Sequence, residues 1–386
     1  MKSHFLALPA LLASTAAVHA GGIDRSGQSI NALFESGRYA EFSFGHIDPS
    51  TSGTSTMAVP PPSLANVSSG DMTSSYLQFG AAYKADINDK LSYAIIYDQP
   101  FGADVDYPTG TGYYAQGSQA DLDSHALTGL LRYRMNDNFS VHGGVRVQSI
   151  EATATVPFVT ATTGPFAGAP YRVDGDRDVG VGYAVGFAYE KPEIAMRVSL
   201  TYNSKIKHDL DTTENSVLGG PIFSETEIET PQSINLEFQT GIAADTLLFG
   251  GIRWVDWSSF HISPNDYRTL TTTPGNPTGS SLVSYDDDVF TYSLGVGRRL
   301  NDNWSVSASV GYEKSNGGFA SNLGPTDGNK SLALAAVYTQ DNMKITTGVR
   351  YVNIGDAQTT LNGLNASGDF EDNDAVAFGV KVGFTF

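Results

Sequence analysis

The sequence has no cysteine among its 386 residues and few basic side chains. Without cysteine it can form neither a disulfide-stapled domain nor a thiolate metal site. Lys and Arg number 23 against 41 Asp and Glu, which gives a net charge of -18. So acidic a chain has no basic surface to neutralise phosphates, and we expect no nucleic-acid partner. With 20 Phe and 19 Tyr, the composition is not that of a disordered chain.

Long apolar runs are also scarce. Residues 1–20 have the composition of a secretory signal peptide: Lys2, an apolar stretch, and the small-residue site Val18-His19-Ala20. We expect cleavage before Gly21. After it, no stretch approaches the ~20 apolar residues that a membrane helix needs, which excludes a helical membrane protein.

The mature sequence instead alternates with a period of two. In the last stretch, apolar residues at even positions from Val376 to Phe386 alternate with small or charged ones. Fourteen such stretches recur, longer than the ~5–6 residues of soluble strands and near the ~9–11 of a tilted membrane strand. Aromatic residues near their ends, such as Tyr83, Tyr97 and Tyr351, suit interfacial girdles.

The connections between these stretches are alternately short and long. Six are short and mostly contain Asn or Asp, and seven are long, at about 51–73, 99–123, 157–175, 211–226, 261–285, 316–330 and 354–373. Short turns of outer-membrane barrels face the periplasm, so we expect both termini there. The sequence therefore predicts an all-β fold: a closed antiparallel 14-stranded transmembrane β-barrel over residues 38–386.

Residues 21–37 precede the first strand. A fourteen-stranded barrel has a wide lumen unless something fills it. Ile30, Leu33 and Phe34 would be exposed to water in a loose tail. We therefore expect this segment to be a short N-terminal hatch in the lumen; the alternative is a frayed periplasmic tail.

The long connections are unusually apolar and include Phe101, Phe158 and Phe166. Clusters of exposed apolar side chains mark binding surfaces. Together with Ile30, Leu33 and Phe34 of the hatch, these three residues are candidate contacts for a hydrophobic small-molecule ligand. A local core beneath each loop is the alternative for any one of them.

Six segments of the sequence match motifs of a known family. They are Phe42 to Pro49, Pro100 to Asp104, Leu131 to Ser140, Leu200 to His208, Thr230 to Ser233 and Ile252 to Phe260. In these segments the chain resembles the FadL-type family of outer-membrane long-chain fatty acid and hydrocarbon transporters. The resemblance implies a fourteen-stranded barrel with an N-terminal hatch. It also implies ligand capture at the outer loops, an internal pocket, and sideways exit where the third strand kinks, with Phe101-Gly102 as the matching residues.

Two departures from the family pattern affect these expectations. The hatch is shorter, and Asn31-Ala32-Leu33 stands where the family has Asn-Pro-Ala. The family's carboxylate-binding basic residue on the fifth strand is not matched to a position here, where the sequence runs from Gln148 to Thr153. Fatty acid and uncharged hydrocarbon both stay open as cargo.

Basic residues on the strands provide candidate head-group sites. From the period-two alternation of each strand, we expect five basic side chains to project into the lumen: Arg132, Arg134, Arg146, Lys205 and Lys207. A carboxylate would form a charge-assisted hydrogen bond with one of them, and we take Arg132, Arg146 and Lys205 as candidates. A salt network with Glu227, Glu229 or Glu237 is the alternative.

Pro100, Phe101, Gly102 and Ala103 form the candidate lateral gate. Proline lacks the N–H that a strand ladder needs, and Pro and Gly favour bends and bulges. We expect an interrupted ladder and a gap in the wall, with the backbone groups satisfied by the hatch or by water. The alternative is that the third strand ends at Gln99 and an ordinary loop begins.

No pattern in the sequence indicates catalysis, a cofactor or a metal site. His125 and His208 lie beside aspartates, and we interpret both as rim charge rather than parts of a catalytic site. Asp286 to Asp288 could bind a divalent cation bridging lipopolysaccharide, although solvated loop charge is the default. We expect a monomeric importer of hydrophobic compounds in contact with outer-membrane lipid and lipopolysaccharide. A polar porin and a structural or adhesive barrel are the alternatives.

Overall fold

The computed structural model describes residues 23–56, 65–159, 168–272, 276–361 and 363–386. The predicted signal peptide lies outside these residues. Fourteen wall strands, β1 to β14, form one antiparallel sheet that closes where β1 pairs with β14, from Tyr39 opposite Thr385 to Ser50 opposite Asp374. The predicted all-β, 14-stranded closed barrel is confirmed.

Eleven wall strands are continuous and three consist of two segments. The continuous strands are β1 (Tyr39–Ser50), β2 (Tyr76–Asp86), β4 (Gln119–Arg134), β5 (Phe139–Val156), β6 (Tyr171–Lys191), β9 (Thr246–Val255), β10 (Val289–Arg299), β11 (Trp304–Glu313), β12 (Asn329–Gln340), β13 (Met343–Ile354) and β14 (Asp374–Thr385). The interrupted strands are β3 (Leu91–Asp98 and Gly102–Asp106), β7 (Met196–Asn203 and Ile206–Ser216) and β8 (Gly219–Thr230 and Ser233–Ala243).

Short helical turns and small sheets lie in the connections at the two ends of the barrel. In the part of the chain that the structure describes, one α-helix, α1, covers Asn265–Leu270, and 3-10 turns cover Asn31–Phe34, Pro192–Ile194 and Trp257–Ser259. Small sheets in the connections are built from Gly53–Ser55, Phe319–Ala320, Ala357–Thr360 and Ala366–Phe370, and from His261–Ile262 with Val283–Ser284. Among the described residues, no helix is long and apolar enough to cross a membrane.

Successive side chains along each strand alternate between the outer surface of the wall and the lumen. Apolar side chains such as Leu127, Val181 and Phe378 are exposed on the outside of the wall. Lumen-facing positions next to them, such as Thr128 and Ala377, are buried. The short turns and Tyr39 and Thr385 lie at one end, the turn end, and the long connections lie at the other, the loop end. This arrangement follows from a pleat in which neighbouring residues face opposite sides.

One predicted loop is a hairpin. Residues 211–226 belong to the outer segments of β7 and β8, which pair from Ile206 opposite Thr230 to Ser216 opposite Gly219. The prediction of a long connection there is wrong. Its buried positions include the polar residues Thr212, Glu214 and Thr226 as well as apolar ones such as Leu210, and its exposed positions include charged residues such as Asp209 and Glu225. The hairpin therefore lacks the outward-facing apolar alternation by which the other strands were identified.

Candidate functional site

Strand β3 is interrupted at Gln99–Phe101. Its first segment pairs with β2 from Asp86 opposite Ser92 to Ala81 opposite Tyr97. Beyond this point the second segment, Gly102–Asp106, pairs only with β4 in the wall sheet. The part of β2 before Ala81 therefore has β1 on one side and no ladder partner in β3. The ladder of β3 is therefore interrupted around Pro100, whereas the role of this site as a lateral gate stays a prediction.

The N-terminal segment, Ile23–Phe34, supplies the missing backbone partners. The Arg25 N–H donates to the Pro100 carbonyl at 2.8 Å, and the Gly102 N–H donates to the Ile23 carbonyl at 2.9 Å. The Gln78 side chain on β2 donates to the Arg25 carbonyl at 2.8 Å. The backbone of Ile23–Arg25 thus pairs with the interrupted part of β3 and is linked to β2 through the Gln78 side chain. Backbone groups that lipid could not satisfy are paired with protein.

The Arg25 side chain runs across the interruption. Its guanidinium lies 3.9 Å from the centre of the Tyr76 ring and forms an ion pair with Asp104 on the second segment of β3. Gly102 leaves the necessary room, because a Cβ there would lie only 2.3 Å from the Arg25 guanidinium carbon. The break in the wall is therefore closed by the Arg25 side chain and by the backbone of Ile23–Arg25.

The same segment is bound to the opposite wall. Gln28 accepts a hydrogen bond from Ser233 at 2.8 Å, and the Gly27 carbonyl accepts one from Asn235 at 3.0 Å, both on β8. Asn31 donates to Glu237 at 3.0 Å. The segment therefore spans the lumen between β3 and β8.

Ile30, Leu33 and Phe34 lie towards the turn end. Ile30 and Leu33 are buried in a cluster with lumen-facing residues such as Ala94 and Leu130. The centre of the Phe34 ring lies 4.7 Å from the guanidinium carbon of Arg132 and 4.5 Å from that of Arg197. All three side chains pack the segment against the wall, and none of them lines the two cavities described next.

An apolar cavity of about 180 Å³ lies on the loop side of Ile23–Arg25, and we call it the loop-side cavity. Its lining comes from the outer halves of β3 to β8 and from the connections that cover them. Representative lining residues are Met72, Leu122, Val173, Leu210, Phe260 and Leu282. Gly102, Ala103 and Arg25 also line it, so the cavity reaches the interruption in β3.

Aromatic rings pack around this cavity. Phe101 is buried, and its ring lies edge to face with that of Trp257, with the ring centres 5.9 Å apart. The ring centres of Trp257 and Phe260 are 5.6 Å apart. Phe158 packs against Tyr114 at 5.9 Å. Phe101 and Phe158 are therefore part of the core around the cavity rather than its lining. Phe166 lies outside the described residues.

A second cavity of about 260 Å³ lies on the other side of the segment, and we call it the lumen cavity. Its lining is more polar and includes Ser26, Glu41, Glu237, Arg253, Arg350 and Lys381. Because Ile23–Arg25 line one cavity and Ser26-Gly27 the other, the N-terminal segment separates them.

Comparison with known proteins identifies the barrel. The sequence matches, over residues 33–386, the family described as "Outer membrane protein transport protein (OMPP1/FadL/TodX)". The chain belongs to the FadL/TodX family. Members are outer-membrane β-barrels of Gram-negative bacteria that transport hydrophobic compounds and are not enzymes.

Solved structures share the fold of this FadL-family chain. A Pseudomonas aeruginosa FadL homologue has a TM-score of 0.73 at 15% identity, covering 97% of both chains. The Ralstonia pickettii toluene transporter TbuX has 0.62 at 14%, covering 92% of this chain and 91% of that one. The Pseudomonas putida toluene transporter TodX has 0.65 at 11%, covering 97% of both. Comparison with curated protein sequences gave no match.

The basic residues predicted to bind a ligand head group in this FadL-family barrel have partners within the protein, and two of them lie away from the cavities. Arg132 is buried and bound to Glu190 and Ser140, and Arg146 is buried and donates to Thr128 at 2.9 Å. Lys205 is 59% exposed and pairs with Glu229 at 3.0 Å. Neither Arg132 nor Arg146 lines a described cavity.

The prediction that Lys205 and Lys207 point into the lumen is wrong. Strand β7 is interrupted between Asn203 and Ile206, and the interruption shifts the alternation by one position. Ile206 and His208 are buried, whereas Lys207 is 52% exposed and pairs with Asp209 and Glu227. Arg134, at the turn end of β4, is also exposed.

The remaining polar candidates have structural partners. His125 lies 2.8 Å from the Tyr97 hydroxyl, and His208 lies 3.2 Å from Asp178. Asp288 accepts a hydrogen bond from the Trp254 indole at 3.0 Å. No group of side chains in the described residues is arranged to hold a metal ion.

Sequence reasoning did not identify Asp24, Arg25 and Asp104 as site residues. Their role depends on contacts between distant parts of the chain, such as the 79 positions between Arg25 and Asp104. The one local signal is a charged pair, Asp24-Arg25, directly after the predicted export signal.

Proposed function

We propose that this FadL-family channel admits uncharged hydrophobic compounds of about single-ring size and releases them sideways through the wall at β3. The observation that carries the proposal is the position of the loop-side cavity. It is apolar and ends at the interruption between β2 and β3, where the backbone of Ile23–Arg25 pairs with Pro100 and Gly102.

Cavity size supports a small cargo. An apolar protein cavity of about 150 Å³ is sufficient to bind benzene. The loop-side cavity, at about 180 Å³, is slightly larger. It accommodates a substituted ring, whereas a long alkyl chain would need space outside it.

Charge supports a neutral cargo. Arg25 is the only basic side chain among the described residues that line the loop-side cavity, and Asp104 neutralises it. Asp24 and Asp121 also line the cavity. An anionic head group would meet carboxylates and no free cation there, so binding of an uncharged molecule is favoured.

Entry is proposed at the loop end, which faces the outside, with both termini in the periplasm. This orientation follows from the short turns, which face the periplasm in barrels of this type. The connections that cover the cavity contribute Phe260, Leu282 and Leu323 to its lining and would capture the ligand first. One chain closes the whole barrel, so a monomer suffices. Lipid would contact its outer wall and lipopolysaccharide its loop end.

Release is proposed through Pro100, Phe101, Gly102 and Ala103 once Ile23–Arg25 moves aside. An apolar ligand leaving here enters the bilayer directly and avoids the unfavourable hydration it would face in the periplasm. The seal consists of a few hydrogen bonds and two ion pairs, Arg25–Asp104 and Asp24–Arg253. It can therefore open without unfolding the barrel.

A general polar porin is the competing function. In the structure the N-terminal segment is bonded to β3 and to β8 across the lumen. We therefore expect no large, steady ion conductance from the intact protein in planar bilayers. Such a conductance would favour the porin.

The test uses two leucines on β4 that face opposite ways. Leu122 lines the cavity and is 5% exposed, whereas Leu127 is 51% exposed on the outer wall. Leu122→Trp should abolish binding and uptake of radiolabelled toluene in cells, because the larger side chain fills the cavity. Leu127→Trp should leave both unchanged. Unimpaired toluene uptake by a folded Leu122→Trp variant would contradict the proposal.

A further inference from the structure

The wall has a second stretch without ladder pairing, between β6 and β7. On β6, ladder pairs with β7 end at Ala184 on the turn side and resume at Gly175 on the loop side. The described residues between these points, 176–183 on β6 and 204–211 on β7, form no ladder pair with each other. We call this stretch the β6–β7 gap.

The pleat of the two strands explains the gap. On β6 the buried, lumen-facing positions change from odd to even numbers between Gly175 and Gly180, and on β7 they do so between Asn203 and Ile206. These changes lie at opposite ends of the gap. Continuing the register of either ladder places Val181, which is exposed, opposite Ile206, which is buried. Because opposed residues point to different sides of the wall, the two backbones are out of phase and form no ladder.

Side chains replace part of the missing ladder. The Ser204 N–H donates to the Tyr183 carbonyl, and the Tyr183 N–H donates to Ser204 Oγ, each at 2.9 Å. Asp178 Oδ2 accepts from the Asp209 N–H at 3.3 Å and lies 3.2 Å from His208 Nδ1. Bonds to a side chain can break through a change of rotamer, without separation of whole strands.

Two side chains of β7, Ile206 and His208, fill the gap, and we call them the gap plug. They are 2% and 0% exposed. Both lie against β6 at glycines: a Cβ added at Gly180 would lie 2.5 Å from Ile206 and 2.9 Å from His208, and one at Gly182 would lie 2.6 Å from Ile206. The two glycines therefore provide the room that the gap plug occupies.

The lumen side of the gap plug is incompletely packed. His208 Nε2 and both polar atoms of the Gln148 side chain are buried and have no hydrogen-bond partner among the described residues. Gln148 lies on β5 opposite Gly180, so the two side chains flank the same glycine. Buried polar groups are normally bonded to protein or to ordered water, so these atoms indicate room for a small molecule beside the gap plug.

The gap extends from the loop-side cavity to the outer surface. Gly175 and Leu210, at its loop end, line that cavity. Val179 and Val181 are exposed on the outside of β6, in the apolar surface that contacts lipid. A molecule that passes the gap plug therefore moves between an apolar cavity and the membrane without crossing bulk water, where its hydration is unfavourable.

We propose that the β6–β7 gap is a second side passage, through which uncharged hydrophobic molecules move between the loop-side cavity and the membrane when Ile206 and His208 rotate aside. It is closed by side chains of the wall itself, whereas the interruption in β3 is closed by Ile23–Arg25. The inference rests on the proposed function for its cargo and adds a route that needs no movement of the N-terminal segment.

The first experiment closes the route at β3. The protein has no cysteine of its own, so a Ser26→Cys/Asp98→Cys pair, at positions whose side chains are 2.6 Å apart, locks the N-terminal segment to β3 on oxidation. In the locked protein, Ile206→Ala should speed toluene release about threefold or more, because a smaller side chain leaves the gap partly empty. Val352→Ala is the matched control, since it shortens a buried side chain on β13, which has a ladder on both sides.

The second experiment tests access from the membrane. Ile206→Cys and Val352→Cys place single thiols at positions that are 2% and 0% exposed. A pyrene maleimide dissolved in the vesicle membrane should label Ile206→Cys about tenfold faster, because a thiol in a closed core is inert and one beside a passage is accessible. A water-soluble maleimide should not show this difference.

Either of two results would overturn the second passage: equal toluene release by the folded, locked Ile206→Ala and Val352→Ala proteins, or equal labelling of the two thiols by the pyrene maleimide. Failure of toluene to bind the natural protein would contradict the proposed function instead. The labelling rates would then still decide whether the gap opens to the membrane.

Discussion

Asp24 and Arg253 lie 229 positions apart in the chain and form an ion pair inside the barrel, with Nη2 and Oδ2 separated by 2.7 Å. Arg253 Nη1 also donates to Asn235 at 2.8 Å and to Ser233 at 3.1 Å. Both charged side chains are less than 10% exposed. The backbone of Asp24 also forms an antiparallel β-bridge with Phe101, at the interruption in β3. One residue of the N-terminal segment thus connects β9 to the interruption in β3.

Removing this ion pair should loosen the N-terminal segment. Breaking a buried pair by deleting one partner costs about 3–5 kcal/mol, because the other charge is left unpaired. We expect Arg253→Leu to raise the open-channel conductance in planar bilayers and the labelling rate of a cysteine placed at Ser26. Arg299→Gln, whose Asp245 partner lies in a turn, is the control. Identical labelling of the two variants would show that the pair does not hold the segment.

Asp104 should control how tightly Arg25 closes the wall. Asp104→Asn keeps the shape of the side chain but removes its charge, so displacement of Arg25 becomes easier. We expect faster toluene release from preloaded protein, measured by stopped flow. Asp106→Asn is the matched control, since Asp106 is exposed on the same segment and its carboxylate accepts a hydrogen bond from the Gln119 side chain. A release rate equal to that of the control would argue against a closing role for Asp104.

Two glycines should respond differently to a methyl group. At Gly102 the added Cβ meets the flexible end of Arg25 at 2.3 Å, whereas at Gly144 it meets the Gly129 carbonyl oxygen, a backbone atom, at 1.8 Å. Gly102→Ala should therefore fold and release toluene faster, because Arg25 is displaced. Gly144→Ala should reduce the yield of folded barrel, seen as loss of heat-modifiable mobility on gels. Normal folding of both variants with unchanged release would contradict this account.

The barrel could be predicted because its outer surface imposes one rule along every strand. Lipid accepts only apolar side chains, so positions such as Leu127 and Phe378 recur with a period of two. The rule fails where a strand bends or leaves that environment. The interruption after Asn203 reverses the facing of Lys205, and the β7–β8 hairpin carries buried polar residues such as Glu214.

The break in β3 was predictable for a local reason, since proline removes a ladder donor at a fixed position. The residues that close the break were not. Asp24, Arg25 and Arg253 meet only after the wall has closed, and no spacing in the sequence records such contacts.

The last prediction concerns the cover of the loop-side cavity. Glu214 Oε1 accepts from the Tyr171 hydroxyl at 2.8 Å and from the backbone N–H of Asp266 in α1 at 2.9 Å. The connection that contains α1 also carries Phe260 and Leu282, which line the cavity. Glu214 therefore holds this cover against the β7–β8 hairpin.

Replacing Glu214 by alanine would leave a buried N–H and a buried hydroxyl without acceptors, at a cost of about 1–3 kcal/mol for each group. We expect Glu214→Ala to speed toluene dissociation, with little change in the thermal unfolding of the barrel, because only the cover is released. Glu214→Gln retains an acceptor oxygen and should release toluene more slowly than Glu214→Ala. Glu225→Ala, at an exposed position of the same hairpin, should behave like the natural protein. If Glu214→Ala and Glu225→Ala release toluene equally fast, the connection does not cover the cavity through Glu214.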